Sequence, residues 1–266
     1  MIPKKIHYCW FGKAPLPDSV QRCMESWKKF CPDYEIVEWN EENFDPAQYP
    51  YTKEAYEAKK WAFVSDVARL HALICQGGVY LDTDVELLGP LDSLLNYEGV
   101  VGFETEEQIG AGFIACRPGN LLMQRWLDTY KQGHFLKADG TLDLTPCVER
   151  LTALLAEDGL KKDNRFQIID GCAVFPKEVF SPKDMETGKI VLTKNSLAVH
   201  HYDGSWLSKE EKLAWKLGKK LGKVLPLGLG GYLGKFLAVC RYRGLKEALQ
   251  EVQAWQKRKS GREKQA

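Results

Sequence analysis

Gly77-Gly78-Val79-Tyr80-Leu81-Asp82-Thr83-Asp84 is the stretch on which the reading of this 266-residue chain turns. The glycine pair stops a helix, because glycine enters the left-handed region at little steric cost. Val79-Tyr80-Leu81 is a short apolar run and reads as a buried strand. Two aspartates follow at its carboxyl end, one residue apart, and in extended chain that spacing sets both carboxylates on one face. In α/β folds, ligands bind at that end of the strands.

Working outward, the elements around this stretch alternate between strand and helix. Ile6 to Phe11 reads as a first strand ending at Gly12. Asp18 caps a helix whose Val20, Met24, Trp27 and Cys31 recur at helical spacing, and Pro32 ends it. Tyr34 to Trp39 is a second strand, and a long helix follows from about Lys53 to Cys75. After the acidic stretch, Glu98 to Phe103 and Gly112 to Cys116 read as strands. Helices start at Asn120 and at Thr145-Pro146. Ile168 to Phe175, Ile190 to Leu192 and Leu197 to Val199 read as further strands, the last running into His200-His201-Tyr202-Asp203-Gly204-Ser205-Trp206. The order predicts an α/β domain over residues 1–206, with a mixed, mostly parallel sheet.

Residues 207–266 read as a basic amphipathic helical extension. Ser208-Lys209-Glu210-Glu211 is a capping box, and Leu213, Leu217, Leu221 and Val224 form one face among lysines. The Gly-rich segment Leu227 to Gly234 interrupts it. A last helix runs from about Lys235 to Lys257, with frayed residues after Arg258. From Leu207 onward there are 15 Lys or Arg against 5 Asp or Glu, which leaves residues 1–206 at −9 within a net charge of +1. An acidic body is a poor nucleic-acid surface and a better cation site. The basic extension suits either an anionic membrane surface or packing on the body with solvated lysines outside. No window has the length and apolarity of a membrane span, and the N-terminus does not read as a signal peptide. Eight scattered cysteines without a C-x-x-C pair predict reduced thiols and a cytoplasmic setting, peripheral to the inner membrane face if the tail binds there.

The chemistry starts from Asp82 and Asp84. Adjacent carboxylates repel, and ionising both is costly without a cation beside them. Mg²⁺ and Mn²⁺ take oxygen ligands and share diphosphate oxygens, so a metal here could bridge the protein to a diphosphate and stabilise it as it departs. A solvated turn is the plain alternative. Upstream, Asp66 and Arg69 are three apart on a helix, so they share a face in the apolar run Trp61 to Leu70. They could bond sugar hydroxyls or a phosphate. Downstream, His200-His201 ends an apolar strand, and one imidazole would suit a Mn²⁺ site. Trp206 could donate its indole N–H to a phosphate or anchor the core. Trp10 could stack on a base or simply pack.

Taken together, Ile2 to Gly12, Ser65-Asp66-Val67-Ala68-Arg69 and Gly77 to Asp84 resemble the DXD-containing glycosyltransferases of the yeast initiation-mannosyltransferase type. Bacterial capsular polysaccharide enzymes are the closer kin, and the glucosylating domains of large clostridial toxins are distantly similar. The resemblance spans about residues 2 to 206. It implies a GT-A fold, a nucleotide-sugar donor (a UDP-sugar ahead of a GDP-sugar), Mn²⁺ or Mg²⁺, and retention of anomeric configuration. The acceptor would be a glycan or lipid-linked saccharide of cell-surface or capsular synthesis.

By position, the resemblance implies that Trp10 stacks on the base. Ser65, Asp66, Arg69 and Tyr80 line ribose and sugar. Asp82 meets sugar and, through water, metal, and Asp84 ligates the metal directly. It places His201 where the toxin-like pattern has a ligating carboxylate, and Gly204 where that pattern has serine. Front-face attack by the acceptor is implied, since no carboxylate nucleophile is evident. Two other readings are a haloacid-dehalogenase-type phosphatase and a non-catalytic membrane-surface assembly protein. The first needs Thr or Val four residues after Asp82, where this chain has Glu86; the second sits poorly with intact Asp66, Arg69, Asp82 and Asp84.

Overall fold

The computed structural model describes residues 1–185, 187–204, 209–222, 224–225 and 229–250. In chain order the elements are β1 (Lys5–Cys9), α1 (Asp18–Phe30), β2 (Glu35–Trp39), α2 (Pro50–Glu57), α3 (Trp61–Gln76), β3 (Gly78–Leu81) and β4 (Val85–Leu87). There follow β5 (Gly99–Phe103), β6 (Ile109–Cys116), α4 (Leu121–Lys131), α5 (Cys147–Glu157), β7 (Gln167–Ile169), β8 (Cys172–Phe175), α6 (Lys177–Phe180), β9 (Ala198–His200), α7 (Lys209–Gly222) and α8 (Leu229–Arg243). They form two units, Met1–Asp203 and a second that starts at Gly204.

In the first unit a seven-stranded sheet runs in the order β2-β1-β3-β6-β5-β8-β7. β1 is parallel to β2 and to β3, and β5 is parallel to β8, while β6 is antiparallel to β3 and β5, and β7 to β8. Five strands therefore point one way, giving the mixed sheet expected of the sequence. β3 lies in its interior, and all four of its residues are buried. Apolar side chains from α2 to α5 cover one face, including Leu70, Leu73, Trp126 and Leu151. Trp27 of α1, Val85, Leu87 and Phe180 belong to the core on the other.

Gly77 and Gly78 carry φ of 62° and 105°. A Cβ would stand 2.6 Å from Pro118 Cδ at Gly77 and 2.8 Å from the Lys5 carbonyl oxygen at Gly78, so glycine alone lets α3 turn directly into β3 here. His7 locks the same corner. Its Nε2 lies 2.7 Å from the Gly77 carbonyl oxygen, and Trp39 Nε1–H donates to its Nδ1 at 3.1 Å. Since the indole only donates, Nδ1 accepts and the proton sits on Nε2, a neutral ring. His7 is fully buried, and burial pushes its pKa below the ordinary value.

A second sheet, β4 with β9, is antiparallel and pairs Val85 with His200. The other edge of β4 is held by α1. Trp27 Nε1–H donates to the Val85 carbonyl at 2.7 Å, and the Leu87 N–H donates to Ser26 Oγ at 2.9 Å. Burying Trp27 thus satisfies backbone groups of a strand that would otherwise be an open edge.

Several expected elements differ. The long helix predicted from Lys53 to Cys75 is two, α2 and α3, broken where Lys59 takes φ 55°. Ile168 to Phe175 is a hairpin, with Asp170 (φ 45°) and Gly171 (φ 77°) at its turn; Asp-Gly suits two successive positive φ values. Ile190 to Leu192 is no strand; Ile190 makes only a single bridge, to Lys183. α1 is preceded by Pro17, and Asp18 makes no side-chain cap. Pro146 holds the cap position of α5, while the Thr145 hydroxyl donates to Asp143 at 2.6 Å.

In the second unit, Gly230 and Gly234 are helical rather than an interruption, and both are buried. A Cβ on Gly230 would stand 2.3 Å from the Gly222 nitrogen, and one on Gly234 2.4 Å from the Gly218 nitrogen. Glycine is there for backbone contact between α7 and α8, which outweighs its poor helix propensity. Arg243 grips Glu210 with two hydrogen bonds, at 2.8 and 2.5 Å. No described helix is long and apolar enough to cross a membrane. Ser208 of the capping box, and the end of the last predicted helix, fall outside the described residues.

Candidate metal and sugar site

The site grows from the carboxyl end of β3. Asp82 leaves the strand with its N–H on the Gly112 carbonyl (2.9 Å), and the chain then turns, the Val85 N–H donating to the Asp82 carbonyl at 2.9 Å. Asp82 and Asp84 are thus brought together by a turn rather than by strand alternation, the geometry expected from their spacing. Oxygen atoms of both, with a ring nitrogen of His200, lie within 4.8 Å of one another.

One side of the site is a closed ion network. Arg69 and Asp66, on one face of α3, are 4% and 6% exposed, and Arg69 NH2 lies 3.0 Å from Asp66 Oδ1 and 3.3 Å from Asp82 Oδ1. Arg69 NH1 donates to the Ala111 carbonyl at 2.8 Å and Nε to the Ser65 carbonyl at 3.3 Å. Its guanidinium packs over the Tyr80 ring, 4.6 Å from the centroid, and Tyr80 Oη–H donates to Asp82 Oδ1 at 2.9 Å. Every hydrogen-bonding arm of Arg69 named here ends on an oxygen, so the side chain is fixed as few exposed arginines are.

The other side comes from far along the chain. His200 Nε2 lies 3.2 Å from Asp84 Oδ1, and Asp84 Oδ2 accepts from the Asp203 N–H at 2.8 Å. Burial alone would raise the Asp84 carboxyl, but the His200 charge and these hydrogen bonds outweigh it and pull the pKa down to about 2. Burial likewise disfavours the His200 cation, and Asp84, then Asp82 and Glu104, overcome it and lift the ring to about 9. Without a metal, the imidazolium is the counter-charge. A divalent cation between these groups would take over that role and need the neutral ring. Two carboxylates and an imidazole form a donor set suited to Mn²⁺, and also usable by Mg²⁺.

Glu104, which follows β5, stands near enough for Asp82, Asp84 and His200 to act on its charge, and nothing in the sequence singles it out. Burial pushes its carboxyl above the ordinary range, as do the nearby charges of Asp82 and Asp84, against His200 and Arg69. Its carboxylate has no hydrogen-bond or ion partner among the described residues. β6 forms the floor. Its pairing with β5 shifts between Val100 and Gly102, a bulge, and Gly110 and Gly112 lie in the shifted stretch. A Cβ on Gly110 would stand 3.2 Å from Glu104 Oε2, and one on Gly112 2.8 Å from His200 Cε1 and 3.2 Å from Asp82 Oδ2. The site closes only because these two residues lack side chains.

The remaining predicted residues are placed as follows. His201, carried over as the metal ligand from the resemblance, turns its Nε2 to Glu86 at 2.8 Å; the imidazole facing the aspartates belongs to His200. The reason is strand alternation: His200 ends β9 opposite Val85, and its neighbour faces the other way. Ser65 Oγ–H donates to the Trp61 carbonyl one turn back, at 3.0 Å. Trp10 follows β1, and its indole N–H donates to the Ala14 carbonyl at 2.6 Å. Trp206 lies outside the described residues.

Residues 17–101 match the model of the family described as glycosyltransferase sugar-binding region containing DXD motif. That region holds Ser65, Asp66, Arg69, Tyr80, Asp82 and Asp84, which are among the residues that carry the resemblance to glycosyltransferases. The chain is 35% identical over 100 residues to inositol phosphoceramide mannosyltransferase 3 of Schizosaccharomyces pombe, covering 36% of this chain and 28% of that protein. It is 34% identical over 83 residues to glucan organizing enzyme 1 of Cryptococcus neoformans, covering 27% and 23%. The chain therefore matches only about a quarter of the length of these curated relatives. Among solved structures it is similar to the PaToxG glycosyltransferase, at 21% identity, a TM-score of 0.47, and coverage of 59% of this chain and 69% of that one. Nothing found supports the phosphatase reading.

Proposed function

We propose that this chain is a metal-dependent, retaining glycosyltransferase that moves a sugar from a nucleotide-sugar donor to a glycan or lipid-linked acceptor. The observation that carries the proposal is the cluster of Asp82, Asp84 and His200 within 4.8 Å, at the carboxyl end of a buried parallel strand. The donor set supports it: two carboxylates and the His200 imidazole face one another, a combination that a divalent cation would take.

Asp84 and His200 would hold Mn²⁺ (or Mg²⁺) directly, with Asp82 beside them. The bound ion would supply Lewis-acid stabilisation of the departing diphosphate. Arg69, fixed by the Ser65 and Ala111 carbonyls, Asp66 and the Tyr80 ring, holds Asp82 in one orientation. Asp66 and Asp82 accept from sugar hydroxyls, and Trp10 and Trp206 serve base and phosphate. Transfer breaks the bond from the anomeric carbon to the diphosphate oxygen and forms one to the acceptor oxygen on the same face. The acceptor's proton passes to the leaving phosphate, so no protein nucleophile is required.

A UDP-sugar is the proposed donor, and the proposed setting is cell-surface or capsular polysaccharide synthesis at the cytoplasmic face of the membrane, with the basic tail against anionic lipid. The test is a panel of UDP- and GDP-sugars incubated with the full chain, with and without Mn²⁺. Slow donor hydrolysis that needs the metal is expected, with a rise in melting temperature on adding Mn²⁺ and the matching nucleoside diphosphate. Neither effect with any member of the panel would sink the proposal.

A further inference from the structure

Between α6 and β9 the chain makes a short excursion that the site chemistry does not use. Lys183 and Ile190 bridge in antiparallel fashion, the Asp184 N–H donates to the Lys189 carbonyl at 2.9 Å, and the Val191 N–H donates to the Pro182 carbonyl at 3.1 Å. Ser196 Oγ–H ties the return to the Glu178 carbonyl at 2.7 Å, and the Leu197 N–H to the Val179 carbonyl at 2.8 Å. The backbone is anchored at both ends, yet Ile190, Val191 and Leu192 are 42%, 55% and 55% exposed.

Single exposed aliphatics are ordinary, but three in succession are not. Consecutive side chains of an extended chain point to opposite sides, so this is a projecting ridge rather than a flat patch. Lys189 and Lys194 flank it, both exposed and without an ion pair among the described residues. An apolar tip between two exposed ammonium groups matches the two layers of an anionic bilayer surface, acyl chains below and phosphates above. A protein groove would need the apolar contact but not the paired charges. The ridge is also joined to the site, since the Lys183 ammonium donates to the His201 carbonyl, next to His200.

We infer that Ile190-Val191-Leu192, flanked by Lys189 and Lys194, is a membrane-surface contact that dips into an anionic lipid leaflet beside the site. This goes beyond the sugar-transfer reading and does not depend on it.

The test is co-sedimentation of the full chain with vesicles of phosphatidylcholine and phosphatidylglycerol, and of phosphatidylcholine alone. Val191→Asp/Leu192→Asp and, separately, Lys189→Glu/Lys194→Glu should each weaken binding to the anionic vesicles about tenfold. Their melting temperature, and its rise with Mn²⁺ and nucleoside diphosphate, should stay as in the parent chain. That second readout separates failure of the ridge from failure of the transferase reading. Unchanged vesicle binding by both variants overturns the inference. So does binding lost only when Lys212, Lys216 and Lys220 of the tail are replaced by Gln, or an effect of the ridge variants confined to self-association in size-exclusion chromatography.

Discussion

The two sides of the site are built differently. The Asp66–Arg69–Asp82 side is drawn from one helix and the strand that follows it, within a short span of chain. Its groups are mutually satisfied, each arginine arm ending on an oxygen. The Asp84–His200–Glu104 side is assembled from a turn, the end of β9 and the end of β5, and its acids meet a single imidazole. The first side is a preformed scaffold; the second is an open donor set, the feature that a ligand cation answers. Stability should therefore reside in the first and metal affinity in the second.

The largest expected effect sharpens that division. Asp84→Ala should lower turnover by roughly a thousandfold, the scale of losing a principal charge-stabilising group, in a chain that still folds, with a modestly lowered denaturation midpoint because the native state favours this carboxylate ionised. An active Asp84→Ala chain would break the metal assignment. Arg69→Met should act mainly on stability, destabilising the fold by about 3–5 kcal/mol in urea denaturation, because buried Asp66 would lose its nearest cation. A fully stable Arg69→Met chain would erase the distinction between the two sides.

A smaller effect separates neighbours. His200→Ala should weaken Mn²⁺ binding by roughly 10- to 100-fold in calorimetry, the usual range for losing a ligand or its support, whereas His201→Ala should leave it unchanged. Equal losses would return His201 to the site. Glu104→Gln removes a charge that burial disfavours. It should raise stability in metal-free buffer and weaken Mn²⁺ affinity a few-fold, while a loss of stability would show that the carboxylate has a partner.

The smallest effect concerns the scaffold corner. His7 has its pKa lowered by burial, so the unfolded chain binds its proton first as pH falls. Its contribution is fully present above its unfolded pKa, about 6.5, and is lost on acidification below that, by at most about 1.4 kcal/mol per pH unit. Unfolding midpoints measured from pH 7 to pH 5 should fall more steeply in the parent than in His7→Asn. Parallel slopes would mean that the ring is not held neutral.

Much of the scaffold could be read in advance because its signals are local. A glycine pair that forces positive φ, a buried strand and a helical i, i+3 ion pair all lie in residues 61–84, and each follows from neighbours in sequence. The errors have local causes as well. Asp170-Gly171 is a hairpin turn inside an apolar run, and Lys59 breaks a helical pattern that periodicity carries straight through.

What the sequence alone determined is the α/β alternation, the acidic end of β3 and the pairing of Asp66 with Arg69, because backbone sterics and side-chain period act over a few residues. Only the tertiary structure decided which histidine meets the aspartates, that Glu104 joins them, and that Gly110 and Gly112 must be bare. Those outcomes depend on strand pairing over more than a hundred residues, from Asp84 to His200, and on a bulge in β6. No pattern in the neighbouring residues encodes such distances; the packing of Trp27 beneath β4 and the register of β9 do.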